Sequence, residues 1–433
     1  MTKKKAEAGW QGNLLISPSG APKPLLANAI TALRECPAWE IALSYDVFCM
    51  QTMLDRAPPW EGGLAWDPRA WTPQDDLLAT DWMQRQNIGI NVATMAQAVE
   101  AVARDRQFHP VIDYLENLEH DGEGRIKGWL AKYLGAEQSA YHDQVGRAML
   151  IAAVARIYDP GCKVDTVPIL EGPQGARKST AIKALFDPWF TDEIADLASK
   201  DSAMQTRGVW GIEISELDAM SRAEVSRIKA FISRTADRFR PPYGNRIIES
   251  HRSCVFWGST NSDDYLKDAT GGRRFWPIKV GKIDIDSLKR DREQLWAEAK
   301  RLYDAGVHWW LSGAEIMGEA EEQQSSRYVG DPWDAAIERY VADRDEVTIE
   351  QVLRDGLGIE IIRCTQVEMT RAARCLKILG FNRHQRRSGD KRHWVYRKLV
   401  PGGAGVMAGA KVTTLTPVTR SRVVARQELE KQA

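Results

Sequence analysis

The chain has 433 residues, 43% apolar and 27% charged, with 59 Lys+Arg against 59 Asp+Glu. Sixteen tryptophans exclude a wholly disordered chain, and the length implies two or three domains with a full apolar core. Zero net charge excludes a uniformly basic protein, and six scattered cysteines without metal-site spacing point to reduced thiols rather than a disulfide scaffold or zinc module.

Residues 1–22 carry Gly, Pro and Ser punctuation and are expected to be a flexible N-terminus. Residues 23–150 are predicted to form a mainly helical domain. Apolar spacing predicts a helix over Val92–Arg104, broken at Phe108, His109 and Pro110, with later helices at Ile126–Leu134 and about Tyr141–Tyr158. Residues 151–305 alternate strand and helix patterns, the signature of an α/β core, with strands predicted at Val164–Leu170, Gly208–Ile214 and Ser253–Ser259. A polar helical connector is expected over 306–349, a compact basic domain over 350–400 and a disordered, low-complexity tail over 401–433. No apolar run is long enough to span a membrane. Lys3–Lys5 precede no apolar run of the secretory kind. A cytoplasmic protein is therefore expected.

The most informative segment runs from strand to helix through Gly172, Pro173, Gln174, Gly175, Ala176, Arg177, Lys178, Ser179 and Thr180. A glycine-punctuated loop entering a helix offers bare backbone N–H groups to phosphates. Lysine followed by a hydroxyl residue suits ATP with Mg²⁺. Arg177 stands where a P-loop has its second glycine, so it must keep negative φ or accept left-handed strain of roughly 1–3 kcal/mol.

Apolar residues then lead into Glu213, Ser215, Glu216 and Asp218. On the AAA+ pattern, Glu216 takes the position of the water-activating glutamate. Ser215 takes the metal-ligand position usually held by Asp. Glu213, two residues earlier, shares its strand face and could supply the missing carboxylate, with Ser179, Glu213 and Glu216 as the Mg²⁺ ligands. Asn261, at the end of the next strand, fits an amide that orients water. Arg273 and Arg274 follow on a glycine turn and fit an arginine finger reaching a neighbour's triphosphate, with no choice between them.

Two basic segments point to DNA. The stretch from Arg238 to Arg252 reads as a hairpin about Pro241–Asn245, with Arg238, Arg240 and Arg246 to track a backbone and Tyr243 to stack a base. Near the C-terminus, eleven Arg/Lys between Arg363 and Lys398 face only Glu368 and Asp390. There a helix over Gln366–Leu379 and a basic hairpin carrying Arg386, Arg387, Lys391 and Arg392 look like a winged helix with its wing.

Together these residues resemble the virulence-associated protein E family. The resemblance spans about Phe108 to Val280 and rests on ordered motifs: Phe108–Pro110 with Tyr114 and Leu115, Asp121 and Arg125, Pro160–Lys163, the glycine loop, Glu213–Asp218, Ile228–Ser233, Asp237–Tyr243, Ser259–Asn261 and Asp268–Pro277. It implies a protein of phage or mobile-element replication, similar to superfamily 3-like helicases, which are AAA+-type ATPases usually forming hexameric rings around single-stranded DNA. Some relatives carry a primase domain ahead of the helicase. Residues 1–150 show no matching set of metal-binding acids and histidine, so a separate primase or replication partner is expected. The expected fold is thus α/β, an AAA+-like P-loop NTPase core preceded by a helical domain and followed by a small winged-helix-like domain. The expected activity is ATP-dependent DNA unwinding or translocation, the alternative being an ATP- and DNA-binding initiator that does not unwind.

Overall fold

The computed structural model describes residues 9–62, 66–193, 202–217, 220, 222–240, 247–262, 265–266, 272–327, 332–360, 364–388 and 391–398. They belong to two compact units, residues 1–330 and 331–433. The tail expected to be disordered lies outside the described residues.

The first unit opens with α1 (Leu26–Glu35), β1 (Leu43–Asp46), β2 (Gln51–Leu54), β3 (Arg69–Ala70), α2 (Pro73–Arg85), α3 (Val92–Ala103) and β4 (Gln107–Phe108). Its strands form a four-stranded sheet in the order β3-β2-β1-β4. The helical reading of this region missed that sheet, because strands of two to four residues leave too short a period-2 pattern. Buried Trp39 centres the local core, with Trp60 and Trp82 each 5.6 Å away and Trp71 at 6.3 Å. The expectation of a loose N-terminus is corrected for residues 9–22. Buried Asn28 clamps them by accepting from Leu15 N–H (2.7 Å) and donating to the Leu15 carbonyl (2.9 Å), and Leu14 packs into the same core.

Three helices follow: α4 (Pro110–Glu116), α5 (Trp129–Leu134) and α6 (Ala140–Tyr158). Helix α6 is buried on nearly every side, as its almost uninterrupted apolar run from Ala148 to Ala155 requires. It shares one apolar core with the strands and helices beyond residue 160, so the structure draws no boundary near residue 150.

Beyond it lie β5 (Val167–Glu171), α7 (Lys178–Phe186), β6 (Phe190–Thr191), α8 (Ser202–Gln205), β7 (Gly211–Ile214), α9 (Arg222–Ile232), β8 (Ala236–Phe239), β9 (Ile248–His251), β10 (Val255–Thr260), β11 (Phe275–Lys279), α10 (Ile285–Asp304) and α11 (Ala314–Ser325). Five of these strands form a parallel sheet in the order β11-β5-β10-β7-β6. Strands β5, β7 and β10 are buried along their whole length, which explains their continuous apolar runs. On one side, Phe186 of α7 and Trp296 of α10 pack with Trp210, just before β7, the two indoles 4.2 Å apart. Strand β7 comes this close to α7 only because it starts with Gly211, where an added Cβ would lie 2.2 Å from the Phe186 ring. Since β10 is inserted between β5 and β7, the residues leaving all three strands meet at one sheet edge, the usual ligand position in parallel sheets.

The second unit contains α12 (Asp334–Val341), β12 (Glu346–Val347), α13 (Ile349–Gln351), α14 (Gln366–Ile378), β13 (Phe381–Ser388) and β14 (Lys391–Lys398). Its antiparallel sheet has the order β12-β14-β13 and packs Phe381 and Tyr396 with Ile337, Leu353, Cys375 and Leu376. The connector expected at 306–349 divides: α11 lies in the first unit and α12 in the second. Among the described residues, no helix is long and apolar enough to cross a membrane.

Candidate functional site

A cleft of about 300 Å³ opens at the edge where β5, β7 and β10 end. It is lined by Gln174–Thr180, Ser215, Glu216 and Ser259–Asn261. The loop from Gly172 to Arg177 joins β5 to α7. Gly175 has φ +84°, and Arg177 itself takes φ +66°, ψ +28° at the N-cap of α7. The arginine therefore accepts the left-handed conformation rather than avoiding it, with its exposed side chain at the cleft. Glu216, exposed just after β7, is also left-handed at φ +54°. Two strained non-glycine residues thus line one cleft, a clustering typical of functional sites.

Lys178 is buried in the first turn of α7. Its Nζ donates to the carbonyls of Gly172 (2.7 Å) and Pro173 (3.0 Å) and to Asn261 Oδ1 (2.9 Å). The lysine of the loop and the amide after β10 are thereby joined across 83 residues of sequence. Beside them, Glu213 is 2% exposed. Its Oε1 accepts from Ser179 Oγ at 2.7 Å and Ser259 Oγ at 2.5 Å, while its Oε2 is buried with no hydrogen-bond partner. A buried carboxylate oxygen without a partner requires an explanation. A hydroxyl and one or two carboxylates beside a glycine loop make an oxygen donor set that suits Mg²⁺. Sequence reasoning assigned Ser179, Glu213 and Glu216 to a metal and missed Ser259; the available signal was a hydroxyl at the end of an otherwise apolar strand.

The pair on the glycine turn separates. Arg274 donates to Ser233 Oγ (3.1 Å) and approaches Asp165 at 3.8 Å within its own chain, whereas Arg273 is exposed. Asp218 lies outside the described residues.

The base of the loop is held by a network absent from the sequence reading. Glu171, fully buried at the end of β5, accepts from Arg327 at 2.6 and 2.8 Å and from Tyr265 Oη at 2.8 Å. Burial, then the Glu171 charge, pushes the Tyr265 phenol well above its ordinary range, keeping it a neutral donor. An acid directly before the loop and an arginine 156 residues later give no local signal.

Strands β8 and β9 form the expected antiparallel hairpin, with Arg238 opposite Glu249. These two residues also make a 2.6 Å ion pair, so Arg238 is partly engaged across the ribbon. Arg240 is exposed, whereas Tyr243 and Arg246 lie outside the described residues. The root is rigid: buried Arg252 binds Asp237 through two contacts of 2.6 and 3.0 Å, donates to the Phe231 carbonyl and lies 4.1 Å from the Phe231 ring centroid. In the second unit, Arg386 is exposed but pairs with Glu346 at 2.6 Å, and Arg387 is exposed. Lys391 and Arg392 begin β14, and their side chains lie outside the described set.

Comparison with known proteins matches residues 115–329 to the virulence-associated protein E-like domain. No curated protein matches the chain. Similar solved structures include the apo NrS-1 C terminal region, 12% identical with a TM-score of 0.45, covering 83% of this chain and 95% of that one. Its A form aligns at 11% identity and a TM-score of 0.41, covering 82% and 96%.

Proposed function

The chain carries a virulence-associated protein E-like domain at residues 115–329, and from that premise we propose that it is an ATP-dependent DNA helicase or translocase of phage or mobile-element replication. The observation that carries this reading is the convergence of Lys178, Ser179, Glu216 and Asn261 on one cleft at the end of a parallel sheet, with buried Glu213 bonded to Ser179 behind it. It supports an AAA+-like P-loop core in which Gly172–Thr180 wrap the triphosphate and Lys178 neutralises its charge. Ser179 and Glu213 would hold Mg²⁺, with the unpartnered Glu213 Oε2 free to serve as an oxygen donor. When bound, the ion neutralises charge on the phosphate oxygens. Glu216 accepts the proton of the attacking water, and Asn261 orients that water while fixing Lys178.

Arg273 is assigned as the arginine finger acting on a neighbouring subunit of a homo-oligomeric ring, a hexamer by family resemblance. Arg274 is assigned to holding its own turn through Asp165 and Ser233. The β8–β9 hairpin grips single-stranded DNA with Arg240, Tyr243 and Arg246, while Arg238 is steered by Glu249. The helix–strand–helix–helix–hairpin order of the second unit supports a winged-helix-like domain, with Arg386, Arg387, Lys391 and Arg392 contacting phosphates. Primer synthesis is left to a separate partner.

The test is displacement of the labelled strand from a forked DNA with ATP and Mg²⁺. The wild-type chain is expected to displace it. Glu216→Gln is expected to bind ATP and DNA without displacement. Wild-type ATP turnover and DNA binding with no displacement would reject unwinding and leave the initiator reading.

A further inference from the structure

The β13–β14 ribbon has two chemically different faces. Antiparallel register sets Arg383 opposite Tyr396, Gln385 opposite Trp394 and Arg386 opposite His393. Since directly paired residues share a face, Arg383, Gln385, Arg387 and Trp394 lie on one side and Arg386 and Arg397 on the other. The second side is partly neutralised, because Glu346 takes Arg386 at 2.6 Å and Arg397 at 3.0 Å. On the first side, the Arg383 guanidinium lies 3.9 Å from the Trp394 ring centroid, and half of the tryptophan remains exposed (50%). A tryptophan that served only the local core would be covered like Phe381 and Tyr396 on the same face, at 1% and 8%.

We infer that this face is a stacking platform for an unpaired base of single-stranded nucleic acid, with Trp394 as the platform and Arg383 backing it. The guanidinium covers one part of the indole, keeps it oriented and places a positive charge next to the phosphate of the stacked nucleotide. Charge complementarity fixes the class of partner. Between Phe381 and Lys398 the ribbon has seven Arg/Lys (383, 386, 387, 391, 392, 397, 398) and a single acid, Asp390. The exposed ring selects a single strand over a duplex, because a base offers a free π-face only when unpaired or at a duplex end. The inference rests on the nucleic-acid reading above and adds to it a pair of residues and a contact with bases, where that reading has only phosphate contacts in this unit.

The experiment uses the full chain and two labelled strands of equal length, an oligothymidylate and an abasic strand that keeps every phosphate. Trp394→Ala is expected to weaken binding of the oligothymidylate about tenfold, the order of one lost base–aromatic stack. It should leave binding of the abasic strand and the salt dependence of both nearly unchanged. Trp394→Phe is expected to restore most of the loss. Equal weakening on both strands would show a packing role and overturn the inference. So would no weakening on either. If the wild-type chain binds neither strand, the nucleic-acid reading falls with it; if it binds and Trp394→Ala is silent, only the platform falls.

Discussion

Arg177 and Arg273 illustrate how a side chain's place decides its part. Arg177 occupies a left-handed position that costs an ordinary residue roughly 1–3 kcal/mol and would cost glycine little. Its exposed guanidinium at the cleft gives a reason for a charged residue there despite the strain. Arg273 and Arg274 were equivalent in sequence, both following a glycine turn, and the structure separates them by partner. Arg274→Ala is expected to lower stability by about 1 kcal/mol through the lost Ser233 and Asp165 contacts, with ATP turnover largely kept. Arg273→Ala is expected to leave thermal stability unchanged and to reduce turnover by roughly a thousandfold, the lower end of an arginine finger's contribution. Phosphate release and thermal melting of both variants check the division. Loss of turnover in Arg274→Ala with none in Arg273→Ala would reverse it.

The β8–β9 hairpin and the glycine loop are each anchored at the root by an arginine paired with a buried acid. Asp237 and Arg252 are 3% and 1% exposed, so removing one leaves an uncompensated buried charge. Asp237→Ala is expected to cost about 3–5 kcal/mol. Adding Arg252→Met should recover part of that loss, because the stranded charge goes with it. Chemical denaturation of the two single variants and the double variant tests this coupling, and strictly additive effects would contradict it. The hairpin and the strand–loop–helix were legible because their signals are local: a turn between short runs, and glycines between an apolar strand and a helix. The anchors were not. Glu171 with Arg327 and Asp237 with Arg252 are chosen by chain crossing, and nothing in their immediate neighbours marks them. The small N-terminal sheet escaped for a related reason, since β3 and β4 are two residues each and borrow their stability from α1, α2 and α3 around Trp39.

The layout of the molecule follows from how its cores divide. Residues 14–103 gather around Trp39, whereas the core of α4–α6 is continuous with the parallel sheet. The change of pattern near residue 150 marked a change from helices to alternating strands and helices, not a change of core. The parallel sheet was predictable from three apolar runs, but its order was not. That order brings Lys178 within 2.9 Å of Asn261, and it turns separate motifs into one site. The claim that unites them is that this cleft hydrolyses ATP. Steady-state phosphate release with ATP, Mg²⁺ and single-stranded DNA, comparing the wild-type chain with Lys178→Ala at matched folding, decides it. The expected result is DNA-stimulated turnover in the wild type and its abolition in Lys178→Ala; equal turnover in the two proteins would contradict the assignment.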